Sequence, residues 1–254
     1  MLGELSAFTI NYKLFRIKNK ILRTNNQKYV VSFCLFGTDE KYFNNLDFCI
    51  KSYQSFFPDW IVRIYVSADL PKNVSQKIKS EKCELITMNC SGLDYRYTFW
   101  RFLALDDPQV AFTMVRDIDS IASEREKVMV EQWIQSKKTL HVIRDHPDHI
   151  DRIMGGMFGR SFDENFDIKK SMLAFKKFNK LGIDQQYLNQ LYSHYSKDMI
   201  VHDIFKRYQD EDPKIIPHKN LNHFIGEINT DHRFKQRDIN SLKKFYEEKK
   251  SSKS

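Results

Sequence analysis

The feature that most constrains the fold is an alternation that begins at Tyr29 and ends at Asp145. Short apolar runs are separated by segments whose apolar residues recur at helical spacing. "YVVSFCLFG" predicts a buried strand ending in Gly37. "YFNNLDFCIKSYQSFFP" predicts a helix with Phe43, Leu46, Cys49, Ile50 and Tyr53 on one face, stopping before Pro58. "WIVRIYVS" is a second strand, "PKNVSQKIKS" a short helix with Pro71 near its start, and "CELITMN" a third strand. "YTFWRFLALDD" predicts a helix ending before Pro108, and "VAFTMV" a fourth strand followed by "RDIDS". "SEREKVMVEQWIQSKK" is a helix capped by Ser123 with Glu126 three residues on, and "TLHVIRD" is the fifth strand.

Strands and helices alternating at this spacing form βαβ units, hence an α/β fold with a mainly parallel sheet covered on both faces. Ligands of such sheets bind beyond the carboxyl ends of the strands. Asp117, Asp119, Arg144, Asp145 and the loop after Phe36 therefore fall on one rim. After Asp145 the texture changes. "HPDHIDRIMGGMFGRS" reads as a loop, "DIKKSMLAFKKFNK" and "GIDQQYLNQLYSHYS" as helices, and "DMIVHDIF" as a strand. Residues 206–228 are expected to be irregular, and the tail "EEKKSSKS" is expected to fray. No soft linker marks a second domain. The expected division is a basic N-terminal segment over 1–28, one domain over 29–240 that includes the extension closing the site, and a charged flexible tail over 241–254.

Composition narrows the partners. With 254 residues, 20 Phe and 12 Tyr, the chain can bury a full core. A net charge of +8 suits anionic partners such as nucleotides, phosphosugars, nucleic acid or a membrane surface, and equally suits a lysine-rich soluble surface. The cysteines (Cys34, Cys49, Cys83, Cys90) lack paired metal spacing and suit a reducing compartment. Neither a signal peptide nor an apolar run of membrane-spanning length is evident, so the expectation is a soluble, cytoplasmic protein. Lys13, Arg16, Lys18, Lys20 and Arg23 allow peripheral contact with anionic lipid.

Asp117 and Asp119 are the sharpest local signal. At a strand end, residues i and i+2 project from one face, so two carboxylates can converge on a hard cation such as Mg²⁺ or Mn²⁺. With 33 acidic residues, about four such pairs arise by chance, so position at a strand end gives this pair its meaning. The alternative is a polar loop leading into a helix.

The strand ending in "RDIDS" resembles the DxD strand end of GT-A fold glycosyltransferases. "FWRFLALDDP" before it, then "HVIRDHPDH", "IMGGMFG" and "GIDQQYLNQLY" after it, are similar in order to a GT-A-like family found in bacteria and large viruses. The similarity spans Tyr29 to His202. The resemblance implies transfer of a sugar from a UDP- or GDP-sugar, with Mn²⁺ or Mg²⁺, to a glycan, lipid-linked or protein acceptor. It implies that Asp119 binds the metal and that Asp117 reaches the metal or the donor ribose. Phe36 and Gly37 would face base and ribose, and Arg101 the diphosphate or sugar; the other reading of Arg101 is a surface cation.

Three glycines in "GGMFG" suggest a backbone bend beside the sugar, with Gly155 and Gly156 against the donor; a plain turn is the alternative. "DQQYLN" resembles a helix start in which Asp184 contacts sugar hydroxyls and Gln185 lies near the reacting carbon. Asp184 also suits a helix N-cap. The likeness leans towards retention of configuration, while Asp145 or Asp184 can each play the base of an inverting reaction. His223, in "HFIGE", is a candidate third metal ligand, although the Lys-Pro-Trp that follows in the family pattern is missing; His202 and Asp203 compete for that place. His146 and His149 are expected to hydrogen-bond in a loop with Arg144 and Asp145, not to hold zinc. Competing classes are a metal-dependent nuclease or phosphohydrolase and an inactive nucleotide-sugar-binding module. The basic residues are dispersed among acids, so no nucleic-acid partner is expected.

Overall fold

A computed structural model describes residues 27–78, 83–176, 179–219, 221–227 and 232–251. The expected N-terminal segment lies almost wholly outside these residues. Seven strands form one sheet: β1 (Lys28–Leu35), β2 (Trp60–Ser67), β3 (Cys83–Met88), β4 (Val110–Arg116), β5 (Leu140–Arg144), β6 (Met157–Ser161) and β7 (Met199–Asp203). Their spatial order is β3-β2-β1-β4-β6-β5-β7. All pairings are parallel except those of β6, which runs antiparallel to both β4 and β5. The expected mainly parallel α/β sheet is present, with helices on both faces.

Strand β6 is a correction. Its sequence, Met157–Ser161, falls in the stretch whose glycines and histidines predict a loop; Gly159 and Arg160 also break the apolar alternation of an ordinary strand. Burial of Arg160 is made tolerable by the Leu105 carbonyl, 2.6 Å from Nη2, and by the Tyr195 hydroxyl, 3.2 Å from Nη1. The reversal has a positional effect. The chain leaves β5 at the rim and re-enters the sheet through Gly155 and Gly156 at that same rim.

Alternation along β1 divides the core. Val31, Phe33 and Leu35 face one layer, where they meet α1 (Glu40–Asn44), α2 (Leu46–Phe56), α3 (Lys72–Ile78) and α4 (Glu124–Ser136) through residues such as Leu46, Tyr53, Ile78 and Trp133. Val30 and Cys34 face the other, against Trp100 and Ala104 of a run of 3₁₀ turns over Tyr95–Asp106. Beside it lies a second cluster, in which Phe99 and Phe102 pack on Tyr187 and Leu188 of α6 (Ile183–Tyr195). Helix α5 (Ile168–Ala174) closes this layer, with Asp106 accepting from the backbone N–H groups of Ile168 and Lys169.

The single helix expected from Tyr42 is two. Asn45 leaves helical geometry at φ −104°, ψ 6°, and the first piece starts at Glu40, capped by the Asp39 carboxylate on Lys41 N. Ser123 does cap α4, accepting from Glu126 N. The C-terminal helix α7 (His232–Ser251) takes in residues 241–251 of the expected tail, and its buried Ile239 and Leu242 anchor it; the last three residues lie outside the described ones. Among the described residues no helix is long and apolar enough to cross a membrane.

Two buried histidines tie α4 to the sheet. His141 Nε2 lies 2.9 Å from His202 Nδ1, and His202 Nε2 lies 3.0 Å from Gln132 Oε1. Burial holds the His202 pKa down at about 4, with Arg125 adding to the effect. His149, whose Nδ1 accepts from Asp145 N at 3.0 Å, is likewise lowered to about 4, chiefly by burial. A folded-state pKa below the ordinary 6.5 favours the neutral ring, so its stability contribution is complete above pH 6.5 and is lost as pH falls towards 4. Urea midpoints should therefore fall steeply between pH 6.5 and 4.5, each ring contributing at most about 3 kcal/mol. The slope should be shallower in His202→Gln.

Candidate functional site

The candidate site forms where strand order reverses, beyond the ends of β1 and β4. Its centre is Arg101, on the 3₁₀ run. The Arg101 carbonyl accepts from Ser32 Oγ at 2.7 Å, which fixes the segment on β1. One guanidinium nitrogen, Nη1, pairs with Asp117 at the end of β4, and the other, Nη2, pairs with Asp184 Oδ2 at 2.6 Å. Arg101 is thus no surface cation; it is buried and ion-paired on both sides.

Gly155 and Gly156 lie against this bridge. A Cβ on Gly156 would overlap Asp117 Oδ2 and sit 2.9 Å from Asp117 N. A Cβ on Gly155 would lie 2.7 Å from Arg101 Nη2, 2.8 Å from Gln185 Oε1 and 3.0 Å from Asp184 Oδ2. The two glycines are required by close approach. Arg101, Asp117, Gly155, Gly156, Asp184 and Gln185, expected near one another, come together in fact. Asp184 is not the N-cap of α6, a place taken by Gly182; it sits in the first turn with its carboxylate turned to Arg101.

Asp119 differs from its neighbour. Asp117 is half exposed and paired, whereas Asp119 is 8% exposed and, among the described residues, has no side-chain cation at ion-pairing distance. Burial, then the nearby Asp117 charge, pushes its pKa up to about 6. The closest compensating charges are Lys41, which is engaged with Asp39 at 3.3 Å, and Arg101. A buried carboxylate lacking a cation, two residues from another carboxylate on the same rim, is a donor set suited to a hard divalent ion.

Phe36 and Gly37 border the site on the β1 side. Phe36 meets Tyr97 and Trp100 edge-on at 5.6 and 6.0 Å, and Tyr97 stacks on Trp100 at 4.2 Å. Gly37 adopts φ +76°. The aromatic character of this wall was visible in the sequence, but nothing in the spacing joined Tyr97 to Phe36.

Two expected roles, a base and a third metal ligand, do not fit the four residues offered for them. Asp145 is buried to 1% and held by Arg125, by Ile225 N at 2.8 Å and by His218, with Nε2 3.2 Å away; a carboxylate so enclosed anchors a loop and cannot act as a base on a substrate. His223 Nδ1 is 2.6 Å from Glu227 Oε2 and joins no ligand group with Asp117 and Asp119. His202 bonds to His141 and Gln132, and Asp203 pairs with Arg144 at 2.8 Å, so neither takes its place. Arg144 itself is buried between Asp203 and Glu211. His146, Asp148 and Asp238 bring ligand atoms within 4.8 Å of one another. Both His146 nitrogens are already used, however: Nδ1 accepts from Asp148 N and Nε2 faces the Asp238 carbonyl. These rings serve hydrogen bonding, as expected.

No family model and no curated protein matches the chain. Among solved structures it is similar to a glycosyltransferase involved in glycosylation of the major capsid of PBCV-1 (12% identity, TM-score 0.48, 70% of this chain and 82% of that one). It is also similar to the galactosyltransferase LgtC in complex with donor and acceptor sugar analogues (15%, 0.47, 72% and 80%). A third is 4-diphosphocytidyl-2C-methyl-D-erythritol synthase from Anaerococcus prevotii (11%, 0.48, 86% and 100%). At this distance the likeness concerns the course of the backbone only.

The glycine contact generates a direct test. Gly156→Ala must displace Asp117 or the backbone, an overpacking that costs about 1–3 kcal/mol. Urea unfolding should show that loss at Gly156, whose φ is not positive; in Gly92→Ala, with nothing near its Cβ, any loss comes from its φ of +78° alone.

Proposed function

We propose that the protein is a metal-dependent glycosyltransferase that takes a sugar from a nucleotide sugar. The observation that carries this reading is the charge balance at the rim. Two carboxylates, Asp117 and Asp184, pair with one guanidinium, Arg101, and a third, Asp119, stands unpaired on the same rim, with Lys41 engaged by Asp39. Three negative charges less one positive leave a deficit of two, the charge of one divalent cation. Asp119 and Asp117 would hold Mn²⁺ or Mg²⁺, which supplies Lewis-acid stabilisation to a diphosphate leaving group.

The chain's own residues provide the rest of the site. Arg101, which lies between Asp117 and Asp184, would offer its guanidinium donors to the diphosphate or the sugar. The glycine bend lets the donor approach the backbone at Gly155 and Gly156. Asp184 Oδ2 and Gln185 Oε1 converge there as hydrogen-bond acceptors suited to sugar hydroxyls. Phe36, Tyr97 and Trp100 form an aromatic wall on the β1 side that suits a nucleobase. The acceptor is a glycan, a lipid-linked sugar or a protein.

Thermal melting with UDP- and GDP-sugars, with and without Mn²⁺, tests the reading. Ligand at about one hundred times its dissociation constant adds about 2.7 kcal/mol, which raises Tm by roughly 5–10 °C in a chain of this length. Asp119→Ala should remove the metal-dependent part of the shift and stay folded. No shift with any nucleotide sugar, or an undiminished metal-dependent shift in Asp119→Ala, would overturn the proposal.

A further inference from the structure

Gln185 carries the one side-chain amide at the centre of the site, and an amide can face a ligand with either end. Its Nε2 lies 2.8 Å from Asp151 Oδ2 and 3.1 Å from the Ile153 carbonyl. Both partners are acceptors only, so the opposite orientation would set an oxygen against a carboxylate and a carbonyl and lose both hydrogen bonds. The NH₂ group therefore belongs to Asp151 and Ile153. Oε1 is left pointing at Gly155, beside Asp184 Oδ2 and Arg101 Nη2.

We propose that Asp151 is a positioning residue that locks the Gln185 amide with its oxygen, not its NH₂, towards the donor sugar. This rests on the glycosyltransferase reading for its substrate, though not for its geometry. The consequence is a site that offers two neighbouring acceptors, Asp184 Oδ2 and Gln185 Oε1. It selects a ligand that donates hydrogen bonds, or develops positive charge, at that point.

Asp151 is exposed, yet its loop is held firmly enough for the task. Arg144 Nη1 donates to the Arg152 carbonyl at 2.7 Å, and Arg207 donates to the Pro147 carbonyl. Tyr208 donates to the Ile150 carbonyl, and the Arg152 guanidinium lies 3.9 Å from the centre of the Tyr208 ring. Arg152 Nη1 also donates to Tyr192 Oη at 2.9 Å and to Asp210 at 2.8 Å. Tyr192 lies two turns beyond Gln185 on α6, so loop and helix are joined at two points rather than one.

The experiment pairs Asp151→Leu with Asp151→Asn, whose side-chain oxygen can still accept. Side-chain ¹⁵N–¹H₂ resonances of Gln185, assigned by their loss in Gln185→Leu, read the lock without any turnover. They should move in Asp151→Leu and stay close to their wild-type positions in Asp151→Asn. Turnover of a nucleotide sugar should fall by about 10- to 100-fold in kcat for Asp151→Leu, as expected of a misplaced reacting group. The Kd for the nucleoside diphosphate with Mn²⁺ should change less than twofold, and Asp151→Asn should retain kcat within about threefold. Unmoved Gln185 resonances in Asp151→Leu, or an equal loss of kcat in both variants, would overturn the proposal. If the wild type turns over no nucleotide sugar, the function proposed above fails, and the resonances alone decide the role of Asp151.

Discussion

Everything at the rim is organised by one guanidinium. Arg101 is buried and binds a carboxylate on either side, one from the end of β4 and one from the first turn of α6. A buried cation is tolerated only when it is paired, and removing one partner from such an arrangement typically costs several kcal/mol. The 3₁₀ run, the end of β4 and the first turn of α6 are thus held together at the site by charge, beside the apolar packing that joins them elsewhere. Asp119, two residues from one of these partners, is left out of the pairing, and the strain shows as a carboxyl that gives up its proton reluctantly. Stabilising the scaffold and leaving a place for a cation are two results of the same distribution of charge.

The antiparallel strand serves that arrangement. If the chain crossed over after β5 as it does between the earlier strands, the next turn at the rim would follow a strand end. Instead β6 starts at the rim, so backbone without side chains, Gly155 and Gly156, is laid between Asp117 on one side and Asp184 and Gln185 on the other. A second buried ion pair, Arg116 with Glu126 at 2.6 Å, fixes the far side of the Asp117–Asp119 loop. Arg116 Nη1 also donates to the Phe158 carbonyl at 2.8 Å, tying β6 to the same point.

The first five strands were legible because each is an apolar run long enough to stand out, and their ends place Asp117, Asp119 and Phe36 without further help. Arg101, Asp184 and Gln185 came from resemblance, and Gly155 and Gly156 from the clustering of glycines. What the sequence hid follows a physical pattern. Strand β6 was obscured by Arg160, whose charge is buried by partners from distant segments. Asp145 looked catalytic because strand ends usually are, yet Arg125, His218 and the Ile225 amide, remote in sequence, enclose it. His223 looked like a ligand and pairs with Glu227 four residues on. Asp151 carries no signal in the sequence, being one of 33 acidic residues and lying in a loop. Its meaning lies wholly in the atom it faces.

The loop that carries Asp151 is secured by residues that leave the ribosome much later. Its partners Arg207, Tyr208 and Glu211 lie some sixty residues downstream, Ile225 holds Asp145 from farther still, and the Asp238 carbonyl reaches His146 from α7. At roughly 5–20 residues per second, about 5–20 s pass between the emergence of His146 and that of its last partner. The last strand, β7, ends at Asp203, before any of these partners. The loop that carries Asp151 therefore gains these contacts only after every strand of the sheet has been made.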